Sequence, residues 1–330
     1  MNLQAIWKLL QETFKEWSED KASRLAAALA YYTIFSIAPL LIIVIAIAGA
    51  VFGEEAARGQ IVGQIQGLVG KDGAQFIQTA IQNANKPHTG AIASIISVVV
   101  LLVGATGLFT ELQDSLNTIW EVKPKPGRAV NNMIRLRFLS FAMVLGIGFL
   151  LLVSLVISTA LAAVVTSFSN FLPGVDFLWR IINFILSFAI TTLLFALIFK
   201  VLPDVKIAWS DVLIGAILTS FLFSIGRFLL GQYLGNGSFG STYGAAGSLV
   251  VLLAWVNYAA QILFFGAEFT QVYARRYGSG IVPTKDAIPL SDNTKYNGTA
   301  PTGRSSTNKK PSSSFLNRLF KSLKKPKRLK

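Results

Sequence analysis

Three polar side chains interrupt the last apolar stretch of the chain: Asn257, Gln261 and Glu268 follow one another at i, i+4 and i+11. On a helix these steps amount to about 400° and about 1100° of rotation, which places all three within about 40° of one face. Polar groups in a membrane span are costly and usually face a cavity or a neighbouring helix, so the stripe points into a bundle and offers a polar path. A second group lies earlier. Glu111 closes an apolar stretch, with Asp114 and Asn117 one and two turns on and Trp120 behind them, and with Glu268 they would form a polar mouth at the same end. Arg227 stands 16 residues beyond Asp211, about 24 Å of helix. It therefore belongs near the opposite end from Glu268, and the two are not expected to pair. Each residue also has a structural reading: helix–helix hydrogen bonds for Asn257 and Gln261, interfacial capping for Glu111 and Glu268, snorkelling for Arg227.

Other chemistries find no residues. Cysteine is absent and His88 is the only histidine, which excludes disulfides, cysteine nucleophiles and a conventional zinc cluster. Gly235-Asn-Gly237-Ser-Phe-Gly240 spells G-x-G-x-x-G, but it follows an apolar helix rather than a strand, so it is not a dinucleotide fingerprint. No Walker A lysine and no carboxylate-rich nuclease motif occurs. Neither enzymatic activity nor a cofactor or metal is expected.

The elements that must position the polar residues are apolar helices. The 330-residue chain is 53% hydrophobic and only 14% charged, against about 25% charged for a soluble domain. From Leu25 to Gly53, 29 residues pass without a charge, and similar runs recur to Glu268. About 20 apolar residues cross a bilayer. Spans are predicted at Leu29–Phe52, Ala91–Thr110, Phe138–Ser158, Ile181–Phe199, Val212–Leu230 and Leu249–Ala267: an all-α bundle of six crossings. Pro39 lies inside the first, where it removes a backbone hydrogen bond and introduces a kink.

With six spans one face receives 25 lysines and arginines and the other 5; without the segment after the last span the counts are 11 and 5. Basic residues accumulate on the cytoplasmic side, so both termini are expected there. The net charge of +14 thus reports topology, and nucleic acid is not an expected partner.

Outside the spans, residues 1–24 are expected to be retained rather than cleaved as a leader. Within them Leu3, Trp7, Leu10, Phe14 and Trp17 recur at helical spacing, predicting an amphipathic helix on the cytoplasmic interface. The external loop 54–90 is expected to hold two short helices, with Gly59, Gly63 and Gly67 as a stripe suited to close contact. The connector Gly231–Ser248, uncharged and rich in Gly and Ser, is expected to be irregular. Residues 276–330 read as a disordered basic tail ending in an amphipathic helix over 314–325. Arg318, Lys321, Lys324, Lys325, Lys327 and Arg328 would meet anionic phospholipid there. Membrane lipids and a second copy of the chain, as a homo-oligomer, are the expected partners.

Several stretches together resemble the YihY/BrkB family of bacterial inner-membrane proteins. They are Ala26-Ala-Ala-Leu-Ala-Tyr-Tyr-Thr-Ile-Phe-Ser-Ile-Ala-Pro39, Leu116-Asn-Thr-Ile-Trp120, Leu202-Pro-Asp-Val-Lys206 with Trp209 and Asp211, and Tyr243-Gly-Ala-Ala-Gly-Ser-Leu249 leading to Ala260-Gln-Ile-Leu-Phe-Phe-Gly-Ala-Glu-Phe269. The resemblance covers about residues 1–275 and adds Tyr243 to the site candidates. It implies a six-helix protein of the bacterial plasma membrane, discussed as an exporter or lipid transporter. The family was once labelled ribonuclease BN, a label that the residues above do not support. A non-ATP-driven transporter or lipid translocator is the leading reading, and a membrane scaffold or envelope assembly factor is the alternative.

Overall fold

The computed structural model describes residues 3–84, 106–125, 142, 146, 175–236 and 247–290, most of them helical. Helix α1 spans Leu3–Glu19, α2 Ala22–Phe52 and α3 Glu54–Ala84. Residues 106–119 form α4, Val175–Val201 α5, Trp209–Asn236 α6 and Gly247–Arg276 α7. Four short strands accompany them: β1 Val122–Pro124, β2 Val205–Lys206, β3 Val282–Pro283 and β4 Ala287–Pro289.

Among the described residues four helices are long and apolar enough to cross a membrane, over Ala22–Ala46, Ile181–Val201, Trp209–Leu230 and Gly247–Arg276. They match the expected first, fourth, fifth and sixth crossings. The expected second span lies mainly, and the third almost wholly, outside the described residues. Helix is what such sequences adopt in lipid, because every backbone N–H and C=O must find its partner within the segment. Pro39 sits inside α2, which runs unbroken past it.

Helix α7 is the axis of the bundle, packed against α1, α2, α3 and α6. Its crossing with α6 is close because small residues alternate reciprocally. A Cβ on Gly215 would fall on the Thr270 hydroxyl, one on Gly266 would fall on that of Thr219, and one on Gly226 would fall on the Tyr258 phenol. Both threonines turn their hydroxyls back to the main chain, Thr219 donating to Gly215 O at 2.7 Å and Thr270 to Gly266 O at 2.6 Å. Two Gly-x-x-x-Thr units thus interlock, a small-residue interface of the kind membrane helices use where water supplies no driving force between them.

Four expectations need correction. Residues 54–84 form one helix, not two short ones. Gly53, at φ 87 where an L side chain is disfavoured, reverses the chain out of α2, and α3 then packs on α2, α6 and α7. Its Ile61, Ala74, Ile77 and Ile81 are buried, and that packing outweighs the cost of the internal glycines, about 1 kcal/mol each. Gly59 and Gly63 face open space, so they make no close helix contact. The described parts of the connector after the fifth span are helical, since α6 continues to Asn236 and α7 begins at Gly247; residues 237–246 lie outside the described residues. Finally, residues 277–290 are not part of a structureless tail.

That last segment is a strap. After α7, Gly280 takes φ 78 and the chain runs across the ends of the neighbouring helices. Strand β3 pairs antiparallel with β2, and β4 pairs antiparallel with β1. Ile281 and Ala287 of the strap are buried. The fold is therefore helical with two small ladders at one end.

Candidate functional site

The expected stripe on α7 is divided in two. Asn257 and Gln261 are half-buried and joined by one hydrogen bond, Gln261 Nε2 donating to Asn257 Oδ1 at 2.9 Å. That leaves an amide N–H of Asn257 and the carbonyl of Gln261 available. Both border a cleft of about 470 Å³ between α1, α6 and α7, whose other walls include Phe14, Trp17, Leu222, Ile225, Tyr258 and Phe265. Ligand pockets commonly measure about 300–1,000 Å³, mostly apolar with a few polar groups. Two residues of its rim stay open to the surroundings, Phe14, 62% exposed, and Ile225, 42% exposed. An apolar wall carrying two amides and a phenol suits a molecule with a polar and an apolar part.

Glu268 does not reach that cleft. It is fully buried, and both carboxyl oxygens lack a hydrogen-bond partner. The charges that bear on it are those of Asp20, Glu16 and Glu121. Close by, Arg275 binds Glu16 at 2.8 Å and Glu12 at 3.1 Å, while Arg276 binds Glu12 at 2.8 Å. These ion pairs clamp α1 onto α7 together with Leu9, which packs on Phe269 and Val272. The opposite face of α1 leaves Trp7 and Phe14 each 62% exposed. The helix thus has one protein face and one apolar outer face, as an interfacial helix requires.

The Glu111–Trp120 region holds its polar side chains in different circumstances. Asn117 is buried and grips Asp204 from two sides: Asn117 Nδ2 donates to Asp204 Oδ2 at 3.1 Å, and the Asp204 N–H donates to Asn117 Oδ1 at 2.8 Å. Gln113 Nε2 donates to the same carboxylate oxygen at 3.1 Å, and Asp204 O accepts the Thr284 N–H of the strap at 2.9 Å. Trp120 is fully buried beside them. Asp114 stays exposed and Glu111 half-buried. Desolvation, and then the Asp204 charge, raise the Asp114 carboxyl above its ordinary value; desolvation, and then Asp114, do the same to Glu111.

Arg227 is exposed on α6 and forms no ion pair with Glu268. Tyr243 and the basic positions Arg318, Lys321, Lys324, Lys325, Lys327 and Arg328 lie outside the described residues. One structural residue, Gln113, escaped the reading of motifs, and two others, Asp204 and Asp211, stood there only within the family stretches, with no role assigned. Asp204, Gln113 and Asp211, which accepts hydrogen bonds from Ser279 N at 2.8 Å and Ser279 Oγ at 2.9 Å, fasten the strapped end. Among the described residues no group of three or more His, Cys, Asp or Glu side chains could hold a metal ion.

A family model described as virulence factor BrkB matches residues 13–289. Among curated proteins, a UPF0761 membrane protein of Teredinibacter turnerae is 26% identical over 288 residues, covering 84% of this chain and 63% of its own length. One from Mannheimia succiniciproducens is 27% identical over 271 residues, covering 80% of this chain and 89% of its own. A third, from Saccharophagus degradans, is 28% identical over 276 residues, covering 82% of this chain and 61% of its own. The chain thus spans under two thirds of the length of the first and third. No solved structure matches.

Proposed function

The chain belongs to the virulence factor BrkB family, and from that premise we propose that it is a translocator of lipid-class amphiphiles in the bacterial plasma membrane, driven without ATP and without enzymatic chemistry. The observation that carries this reading is the lateral cleft, where Asn257, Tyr258 and Gln261 face an otherwise apolar wall between two spanning helices. Polar residues within a span are expensive, and here two of them share only one hydrogen bond while a cavity lies beside them. Six crossings with both termini cytoplasmic complete the proposal, supported by the charge asymmetry of the connecting segments.

The test is lipid flux. Purified chain reconstituted into liposomes holding a headgroup-labelled phospholipid is expected to expose inner-leaflet label to an impermeant quencher. Asn257→Leu with Gln261→Leu should slow that exposure at least tenfold at unchanged protein level and melting temperature. A scaffold or assembly factor would give no flux above protein-free liposomes, and a non-polar route would tolerate both substitutions.

A further inference from the structure

A second pocket lies at the elbow where α1 meets α2. It measures about 450 Å³ and is lined by Trp17, Ser18, Lys21, Ser23 and Arg24. Two cations and two hydroxyls therefore share one concavity. Lys21 and Arg24 form no ion pair among the described residues, unlike Arg275 and Arg276, whose guanidinium groups are both taken up by α1 carboxylates. The pocket sits at the start of a 31-residue helix whose N-cap, Lys21, makes no side-chain capping bond. Because α1 ends at Glu19 and α2 begins at Ala22, helix ends of opposite dipole sign meet at this elbow, and the pocket's positive charge rests on the two side chains.

Trp17 connects this pocket to the lateral cleft, because it lines both. Its indole Nε1 is buried and has no hydrogen-bond partner. A buried N–H left unmatched costs free energy unless something accepts from it. On one side of Trp17, then, stands a basic, hydroxyl-bearing pocket and on the other an apolar cleft. A molecule that fits both has an anionic oxygen-rich head and an apolar remainder.

We propose that the elbow pocket binds the phosphate of an anionic phospholipid headgroup through Lys21, Arg24, Ser18 and Ser23, with the apolar part of the lipid entering the cleft past Trp17. The inference rests on the reading of the cleft as an amphiphile path and names the class of amphiphile. The shared chemistry is a phosphate group, which an inorganic phosphate ion also carries, so the experiment separates the two sources.

Full-length protein in detergent is titrated with dioctanoyl phosphatidylglycerol, dioctanoyl phosphatidylcholine and inorganic phosphate, and binding is read by native mass spectrometry. Phosphatidylglycerol is expected to bind at least tenfold more tightly than phosphatidylcholine. K21Q/R24Q should weaken phosphatidylglycerol tenfold or more, and should weaken phosphatidylcholine, whose phosphate is already offset by its own choline cation, less than threefold. K8Q/K15Q, which removes equal charge from α1 outside the pocket, should weaken it less than threefold. Equal weakening by the two double variants would reduce the effect to general surface charge and overturn the site. Displacement of phosphatidylglycerol by an equal concentration of inorganic phosphate would overturn the lipid assignment. Binding is measured without transport, so a protein that binds phosphatidylglycerol selectively but moves no lipid refutes the translocator reading and leaves the pocket in place.

Discussion

The two halves of α7 hold their polar groups in opposite circumstances. Toward Gly247, Asn257 and Gln261 share a single hydrogen bond and look into a cleft. Toward Arg276, the guanidinium groups are spent on Glu12 and Glu16, and Glu268 is sealed among other acids. The guanidinium capacity used up there clamps two helices together, and the Glu268 carboxyl is shut away from any ligand, whereas capacity left over beside a cavity is available to something that comes and goes. One helix thus serves as an anchor at one end and as the wall of a cleft at the other.

The strongest way to break that comparison is to remove the joint on which both halves turn. Gly266→Val would drive a side chain into Thr219, and overpacking at so close a crossing should cost about 3 kcal/mol. A large fall in melting temperature is expected, with flux and anchoring lost together. An unchanged melting temperature would show that the halves do not depend on this crossing.

A smaller effect sharpens the contrast. Asn117→Leu removes two hydrogen bonds from the Asp204 region and leaves a buried carboxylate short of donors, a loss of about 1–3 kcal/mol. Melting temperature should drop while the protein that remains folded keeps its lipid flux, the reverse of what Asn257→Leu with Gln261→Leu does. Loss of flux at full stability would place Asn117 on the passage instead.

The smallest effect is a pH dependence at the strapped end. Desolvation and the Asp204 charge raise the native Asp114 carboxyl above its unfolded value, so the folded state binds more protons than the unfolded one across that interval. Stability must then fall as pH rises from the ordinary carboxylate value through the raised one. Asp114→Asn should flatten this slope in melting temperature measured at stepped pH, and an unaltered slope would assign it to other groups.

Much of this architecture is legible in the residues alone. The charge-free runs give four of the crossings directly, because length and apolarity are all that a bilayer demands. The stripe is legible only in part: helical spacing puts Asn257, Gln261 and Glu268 on one face, but which of them meets a cavity depends on where α1 lies, and periodicity does not carry that. The Gly-x-x-x-Thr pairs at Gly215–Thr219 and Gly266–Thr270 have the same four-residue spacing as Gly59, Gly63 and Gly67. Spacing does not say which stripe finds a partner helix. The strap hid for a different reason. It shares Ser, Gly, Pro and Lys with the chain beyond it, its Ile281, Val282, Ile288 and Leu290 are too few and too scattered to mark an element, and strands of two and three residues leave no alternation to read.

The strap also bears on how the molecule comes into being. A chain is made from its N-terminus, so β1 and β2 emerge long before β3 and β4, the strands that complete them. Until residue 289 has been synthesised, the helices already inserted have no lock at this end. The lock at this end is thus supplied by fourteen residues, 277–290, that follow the last spanning helix, and a protease that removed them would strip β1 and β2 of their partner strands.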